Sequence, residues 1–250
     1  MSKRIVFAAQ TDQGLTRSNN EDSFTVLKGT EEQSYLVLIA DGMGGHQRGE
    51  LASSTAVNYC SERLAKEINP EMTLKDVETV LVDTIAKTNV KVYVQSLEKE
   101  ENRGMGTTLT VGLFIHDHLV LGHIGDCRAY LLRKNDLRLL TSDHTLVQAM
   151  VDHGDITAEQ AINHPKRNVI TRALGTQELT LADTYTVKFQ AGDRFLFSTD
   201  GLHDYVDIRD VKQILLKEKD PEQASLKLID LANSEAGADN VTVICAYVLT

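Results

Sequence analysis

Tyr35-Leu36-Val37-Leu38-Ile39-Ala40-Asp41-Gly42-Met43-Gly44-Gly45-His46 decides how this chain is read. An unbroken apolar run containing two β-branched residues and closed by an Asp-Gly step predicts a buried strand over 35–40 that ends on a carboxylate. The construction recurs. Arg194 to Thr199 runs into Asp200-Gly201, Leu119 to Gly125 runs into Asp126, and Asp239-Asn240 immediately precedes the apolar run Val241 to Val248. A single Asp-Gly step is ordinary turn chemistry. Four acids at strand ends carry more weight, because strand ends are rigid supports and strands meeting in two packed sheets can gather them into one cleft. Clustered anions repel, so their coexistence needs a counter-charge. With no Cys or His grouped at zinc spacing beside them, an oxygen-rich donor set points to Mg²⁺ or Mn²⁺. The three glycines after Asp41 permit close backbone approach, which lets a main-chain carbonyl join a metal shell.

Working outward, Ile5 to Ala9 and Ser23 to Leu27 read as further strands. Two long helices follow: Ala52, Ala56, Tyr59, Arg63 and Ile68 mark a face of the first, and Leu74, Val77, Leu81, Ile85, Val92 and Leu97 a face of the second. The pattern then turns to strands at Thr108 to Ile115, Leu119 to Ile124 and Arg128 to Leu132, with His116-Asp117-His118 as a tight turn. Thr145 to Leu174 reads as helical but broken at Gly154 and Pro165. Strands at Thr184 to Phe189 and Arg194 to Ser198, helices near Ile208 to Lys217 and Glu222 to Ser234, and the last strand complete the order. This is not strict βαβ alternation, and it predicts antiparallel sheets covered by helices, an α+β class.

The 250 residues, 42% hydrophobic and 25% charged, describe an ordinary globular chain expected to form one domain over 1–250. Its 36 acidic against 26 basic residues give a net charge of −10, which argues against nucleic acid or an anionic membrane surface as a partner. Cys60, Cys127 and Cys245 are odd in number and widely spaced in apolar segments, as buried thiols of a reducing compartment are. Neither a signal-peptide pattern nor an apolar stretch approaching the ~20 residues of a membrane span is present in the sequence. A cytoplasmic protein is expected.

Arg17-Ser18-Asn19-Asn20-Glu21-Asp22, the Asp41 to His46 run, Gly104-Met105-Gly106-Thr107-Thr108, Gly125-Asp126-Cys127-Arg128, Ser198-Thr199-Asp200-Gly201-Leu202 and Asp239-Asn240-Val241-Thr242 occur in one order. In that order the chain resembles, over nearly its whole length, the type 2C metal-dependent protein serine/threonine phosphatases, in the compact form of a stand-alone bacterial catalytic domain. The resemblance implies an αββα sandwich: two antiparallel sheets flanked by antiparallel helix pairs, with the metal site in the cleft between the sheets. It implies that Asp41 bridges two Mn²⁺ or Mg²⁺ ions, that Asp200 and Asp239 complete the shell of one, and that the Gly42 carbonyl binds the other. Glu21 and Asp22 match acids that hold metal-bound waters, Asp126 matches the acid that holds a third ion with Asp200, and Arg17 matches the phosphate-binding arginine. The segment 145–174 matches a variable flap beside the cleft; on its own pattern it reads equally as a surface helical hairpin. Three positions depart from the pattern: Cys127 where serine is common, His203 where threonine is common, and Ala238 in a stretch usually richer in glycine. None is a ligand position.

The implied reaction is hydrolysis of phosphoserine and phosphothreonine in proteins by a metal-activated water, opposing a serine/threonine kinase, in a monomer. Two ions about 3.5–4 Å apart neutralise a phosphate dianion and lower the pKa of a water. Arg17 can make paired hydrogen bonds to the phosphoryl oxygens, and His46 can protonate the departing seryl or threonyl oxygen. Two arrangements are decoys. Cys127 and Arg133 have the spacing of a cysteine-dependent phosphatase, but Arg128 to Leu132 reads as a strand that would hold them about 20 Å apart. His116 and His118 belong to a turn, and His123 to packing. A catalytically dead binding module would have lost an acid at Asp41, Asp200 or Asp239, and a two-metal nuclease would carry a basic stripe.

Overall fold

The computed structural model describes residues 4–29, 34–44 and 48–249, so His46 lies outside the described residues. Strand β3 (Tyr35–Met43) is longer than its apolar run and carries Asp41 within it. Its side chains alternate between two cores: Leu36, Leu38 and Ala40 enter one cluster, Val37 and Ile39 another. That alternation places the strand between a helical layer and a second sheet.

β3 lies in a sheet with β2 (Asp22–Lys28), β5 (Leu109–Ile115), β6 (His118–Ile124) and β9 (Asp183–Lys188), ordered β2-β3-β5-β6-β9, and the short β4 (Gly106–Thr107) pairs with the far end of β3. The second sheet runs β1-β11-β10-β7-β8, from β1 (Arg4–Asp12), β11 (Val241–Leu249), β10 (Arg194–Ser198), β7 (Arg128–Arg133) and β8 (Asp136–Leu139). Every strand pair is antiparallel. Phe114, Phe195, Phe197 and Leu131 fill the space between the sheets, with Phe114 edge-on to Phe195 at 5.4 Å. Helices α1 (Arg48–Glu67) and α2 (Leu74–Glu98) cover the outer face of the first sheet. Helices α5 (Asp200–His203), α6 (Ile208–Lys217) and α7 (Pro221–Glu235) cover that of the second. The four layers are the expected αββα sandwich.

Two helix faces differ in detail from the periodicity. In α1 the buried stripe is Ala52, Ala56, Cys60 and Leu64, and Tyr59 and Arg63 stand beside it, half exposed. Small residues let the helix settle close to β3, which favours the stripe of alanines over the one with bulky side chains. In α2, Leu97 is 61% exposed, whereas Thr84, Thr88 and Asn89 are buried. Asn89 is satisfied there: its Nδ2 donates to the carbonyls of Gln177 and Glu178, and its Oδ1 accepts from Gly175 N. The segment 145–174 contains α3 (Leu146–His153) and α4 (Ala158–Ile162), and no helix after residue 162. Gly154 ends α3 in the left-handed region, at φ 80°. Thr145 and Leu174 bridge to Ile170 and Thr107, pinning the two ends of the segment. All three cysteines are buried free thiols.

Candidate metal centre

The acids converge because the chain brings them to the same end of both sheets. Asp22 opens β2 directly opposite Asp41 in the β2-β3 register. Asp200 follows β10, and Asp239 precedes the neighbouring β11. Arg17, Glu21, Asp41, Gly42, Asp200, Asp239 and Asn240 line one cavity of about 230 Å³. Asp126, on the link from β6 to β7, lines the adjoining cavity. It is close enough to Asp200 for their charges to repel. Three of the four strand-end acids therefore share a cleft, and the fourth stands next to it.

Like charges directly opposite in a strand pair are unfavourable, and here the cost is visible. Burial, then repulsion from Asp200, Asp22 and Asp126, pushes the Asp41 carboxyl well above the ordinary carboxylate range. Burial and then the charges of Asp239 and Asp204 push Asp200 up to about 6. Burial raises Asp22 to about 7, against the opposing effect of hydroxyls that donate to it. Those donors are Thr242 Oγ1 at 2.6 Å and Thr199 Oγ1 at 2.9 Å, both on Asp22 Oδ2. Asp126 is raised by burial, then by Asp200, Asp143 and Asp204. The Oδ1 atoms of Asp22, Asp126 and Asp200 are buried without a hydrogen-bond partner. Unpaired carboxylate oxygens of this kind are what a divalent cation satisfies.

The backbone is fitted as closely. A Cβ on Gly42 would stand 2.0 Å from the Gly49 carbonyl oxygen and 2.6 Å from that of Glu21, so no other residue allows β3 to approach the start of α1. Asp41 N–H donates to Thr108 Oγ1, and Thr107 Oγ1 and Thr108 N–H donate to the Asp41 carbonyl. The backbone of Asp41 is thereby fixed independently of its carboxylate. Arg17 Nη2 donates to Asp239 Oδ2 at 2.5 Å. Partial burial works against the Arg17 cation, but Asp239, Asp200 and Asp41 together raise its pKa. Among the described residues no three His, Cys, Asp or Glu side chains enclose an ion by themselves. Bound cations must complete their shells with backbone carbonyl and water, as hard cations do, and the donors present fit Mn²⁺ or Mg²⁺.

Protein phosphatase 2C matches residues 15–228. The chain belongs to that family. A serine/threonine phosphatase, stp, of Listeria monocytogenes is 37% identical over 235 residues, covering 94% of this chain and 92% of the relative. The serine/threonine phosphatase of S. agalactiae superposes with a TM-score of 0.92 at 32% identity, over 98% of this chain and 100% of that one. The catalytic domain of the phosphatase PstP in complex with two manganese ions superposes with a TM-score of 0.85 at 36% identity, over 100% of both chains. This protein phosphatase 2C is a hydrolase of phosphoserine and phosphothreonine in proteins, with Mn²⁺ or Mg²⁺ as cofactor.

Sequence reasoning did not single out three further features of the phosphatase's cleft. Asn240 Oδ1 accepts from Glu21 N–H, while its Nδ2 donates to the carbonyls of Gln13 and Asn19, so one amide ties the Arg17–Glu21 loop to β11. Thr199 and Thr242 bracket Asp22, and Ile170 forms part of the wall. Asn240, Thr199 and Thr242 stood in quoted motifs; Ile170 carried no signal. The decoys resolve as expected. Cys127 is buried, and Arg133 ends a strand and donates to Asp193. His116 and Asp117 form the hairpin turn, but His118, expected in it, opens β6 and pairs with Ile115. His123 is buried, with its Nδ1 2.8 Å from Thr110 Oγ1.

Proposed function

We propose that Asp41, Asp200 and Asp239, with the Gly42 carbonyl, would hold two cations, with Glu21 and Asp22 beside them to orient water. Asp126 with Asp200 would hold a third. What supports this reading most is one arrangement: Asp41 and Asp200 come from opposite sheets to within interacting distance, beside buried carboxylate oxygens that no protein donor satisfies.

When bound, the cations supply the Lewis acidity that activates water and screens the phosphoryl oxygens. The chain's own groups do the rest. Arg17, at the cleft mouth, turns its guanidinium from Asp239 to the phosphoryl oxygens and fixes the phosphate for in-line attack. Asp22, with Oδ2 pinned by two threonine hydroxyls, presents Oδ1 as a fixed acceptor for a water proton. His46 protonates the departing alkoxide.

The chain acts as one catalytic domain over 1–250, with 145–174 as a flap whose helices border the cavity beside Asp126. Its substrates are phosphorylated proteins, a serine/threonine kinase and that kinase's targets among them. It works as a monomer in the cytoplasm; no described helix is long and apolar enough to cross a membrane. The test is phosphate release from an aryl phosphate and then from a phosphothreonine peptide, with Mn²⁺ and with chelator. Turnover of both substrates only with metal supports the assignment, and metal-independent turnover of either would refute it.

A further inference from the structure

Beside the metal cleft lies an apolar groove of about 700 Å³ on the second sheet, floored by Tyr130, Leu137 and Leu139 and walled by Val206, Ile208 and, from the flap, Ile162. Leu139, Ile162 and Ile208 are 44%, 68% and 45% exposed there, a concentration of large apolar side chains that marks a binding surface. The groove is continuous with the phosphatase site. It shares Arg128, Ile162 and His203 with the cavity of about 320 Å³ that contains Asp126 and Asp204. That cavity in turn abuts the metal cleft, since Asn168 lines one and Ile170 the other. Arg128 forms the divide. Its Nε and Nη2 donate to Asp143 and its Nη1 to Tyr130 Oη, so the guanidinium at the rim of the groove is paired.

We infer that this groove receives an apolar side chain of the phosphoprotein substrate, a few residues from the phosphorylated one. The inference rests on the phosphatase reading of the cleft and deepens it into a sequence preference. A phosphoprotein chain must continue beyond the metal site along the surface, and this path leads onto an apolar floor. Tyr130 is four residues from Asp126, at most about 13 Å of chain, so four or five residues of an extended substrate span the gap. A leucine buried there is worth roughly tenfold in kcat/KM. An aryl phosphate does not reach the groove.

The experiment uses the full chain with Mn²⁺ and phosphothreonine peptides carrying one leucine, or aspartate in its place, at each position two to six residues to either side. The expected result is a preference of about tenfold for leucine over aspartate at one or two adjacent positions. Leu139→Asp with Ile208→Asp removes that preference and leaves aryl phosphate turnover unchanged. An unphosphorylated leucine peptide inhibits the peptide reaction of the unaltered protein and not its aryl phosphate reaction, a readout that needs no variant. A flat leucine scan, a preference that survives the double substitution, or equal inhibition of both reactions overturns the inference. A concentration-dependent dimer lost in Leu139→Asp would assign the groove to a second copy and overturn it as well. Loss of all turnover by the unaltered protein would instead condemn the phosphatase reading beneath it.

Discussion

Arg17 and Asp239, 222 residues apart in sequence, meet at 2.5 Å at the mouth of the cleft. The arginine proposed to bind phosphate is thus paired with an acid proposed to bind metal. Arg17→Ala is expected to raise KM for a phosphothreonine peptide and to weaken inhibition by inorganic phosphate about tenfold, with a smaller effect on kcat, because the clamp acts in ground and transition states alike. Steady-state kinetics with unchanged KM and unchanged phosphate inhibition would remove Arg17 from the site.

The acids repel one another when no cation lies between them, and this predicts opposite effects on stability and activity. Asp41→Asn and Asp200→Asn each abolish Mn²⁺-dependent turnover yet raise the unfolding midpoint in chelator at pH 8, by about 2–4 °C for each kcal/mol of repulsion relieved. The unaltered protein gains stability on adding Mn²⁺, and the variants gain less. Calorimetry showing destabilised variants in chelator would contradict the account of the cluster.

Asp126 stands in the neighbouring cavity, so Asp126→Ala is expected to separate what the core acids join. Titration calorimetry should still find the tight Mn²⁺ sites, while the turnover rate falls. Loss of the tight sites would place Asp126 in the core instead.

The rings of buried His123 and His144 lie 4.9 Å apart, tilted by 42°, His144 accepting from Gly125 N–H and paired with Asp183. Burial, then the neighbouring His144, lowers His123 to about 3; burial also lowers His144, against the pull of Asp183. A histidine depressed in the folded state contributes stability that is present above its unfolded pKa near 6.5 and is lost as pH falls. For His123 the slope reaches about 1.4 kcal/mol per pH unit between roughly pH 6 and 4. The raised acids have the opposite sign, so the measurement is the difference between the unaltered protein and His123→Gln in chelator, where their contribution cancels. The gap in unfolding free energy should narrow on acidification; a constant gap would show that folding does not lower the His123 pKa.

How far the sequence was legible follows from what each residue needs. Asp41, Asp200 and Asp239 were visible because an acid at the end of an apolar run has two signals, its type and its place. The exposed turn at His116 and Asp117 was visible in the same way. The α1 stripe was legible only in part: Ala52 and Ala56 lie on it as expected, but Cys60 and Leu64 complete it in place of Tyr59 and Arg63, because packing against the sheet favours the smaller face. Asn89 was invisible because its burial depends on carbonyls at Gln177 and Glu178, and no local pattern encodes a partner 88 residues away. The short β8 and α5 were missed for a related reason, their existence being owed to β7 and to the turn after β10. Thr199 and Thr242 looked like β-branched strand residues until the sheets placed them against Asp22.

The central claim is that Asp41 joins two cations between the sheets. The most direct measurement is anomalous diffraction at the manganese edge from crystals soaked in Mn²⁺. Two peaks about 3.5–4 Å apart, both in contact with the Asp41 carboxylate and one of them with Asp200 and Asp239, are expected. A map with no peak in the cleft, or with manganese bound away from Asp41, would contradict the account.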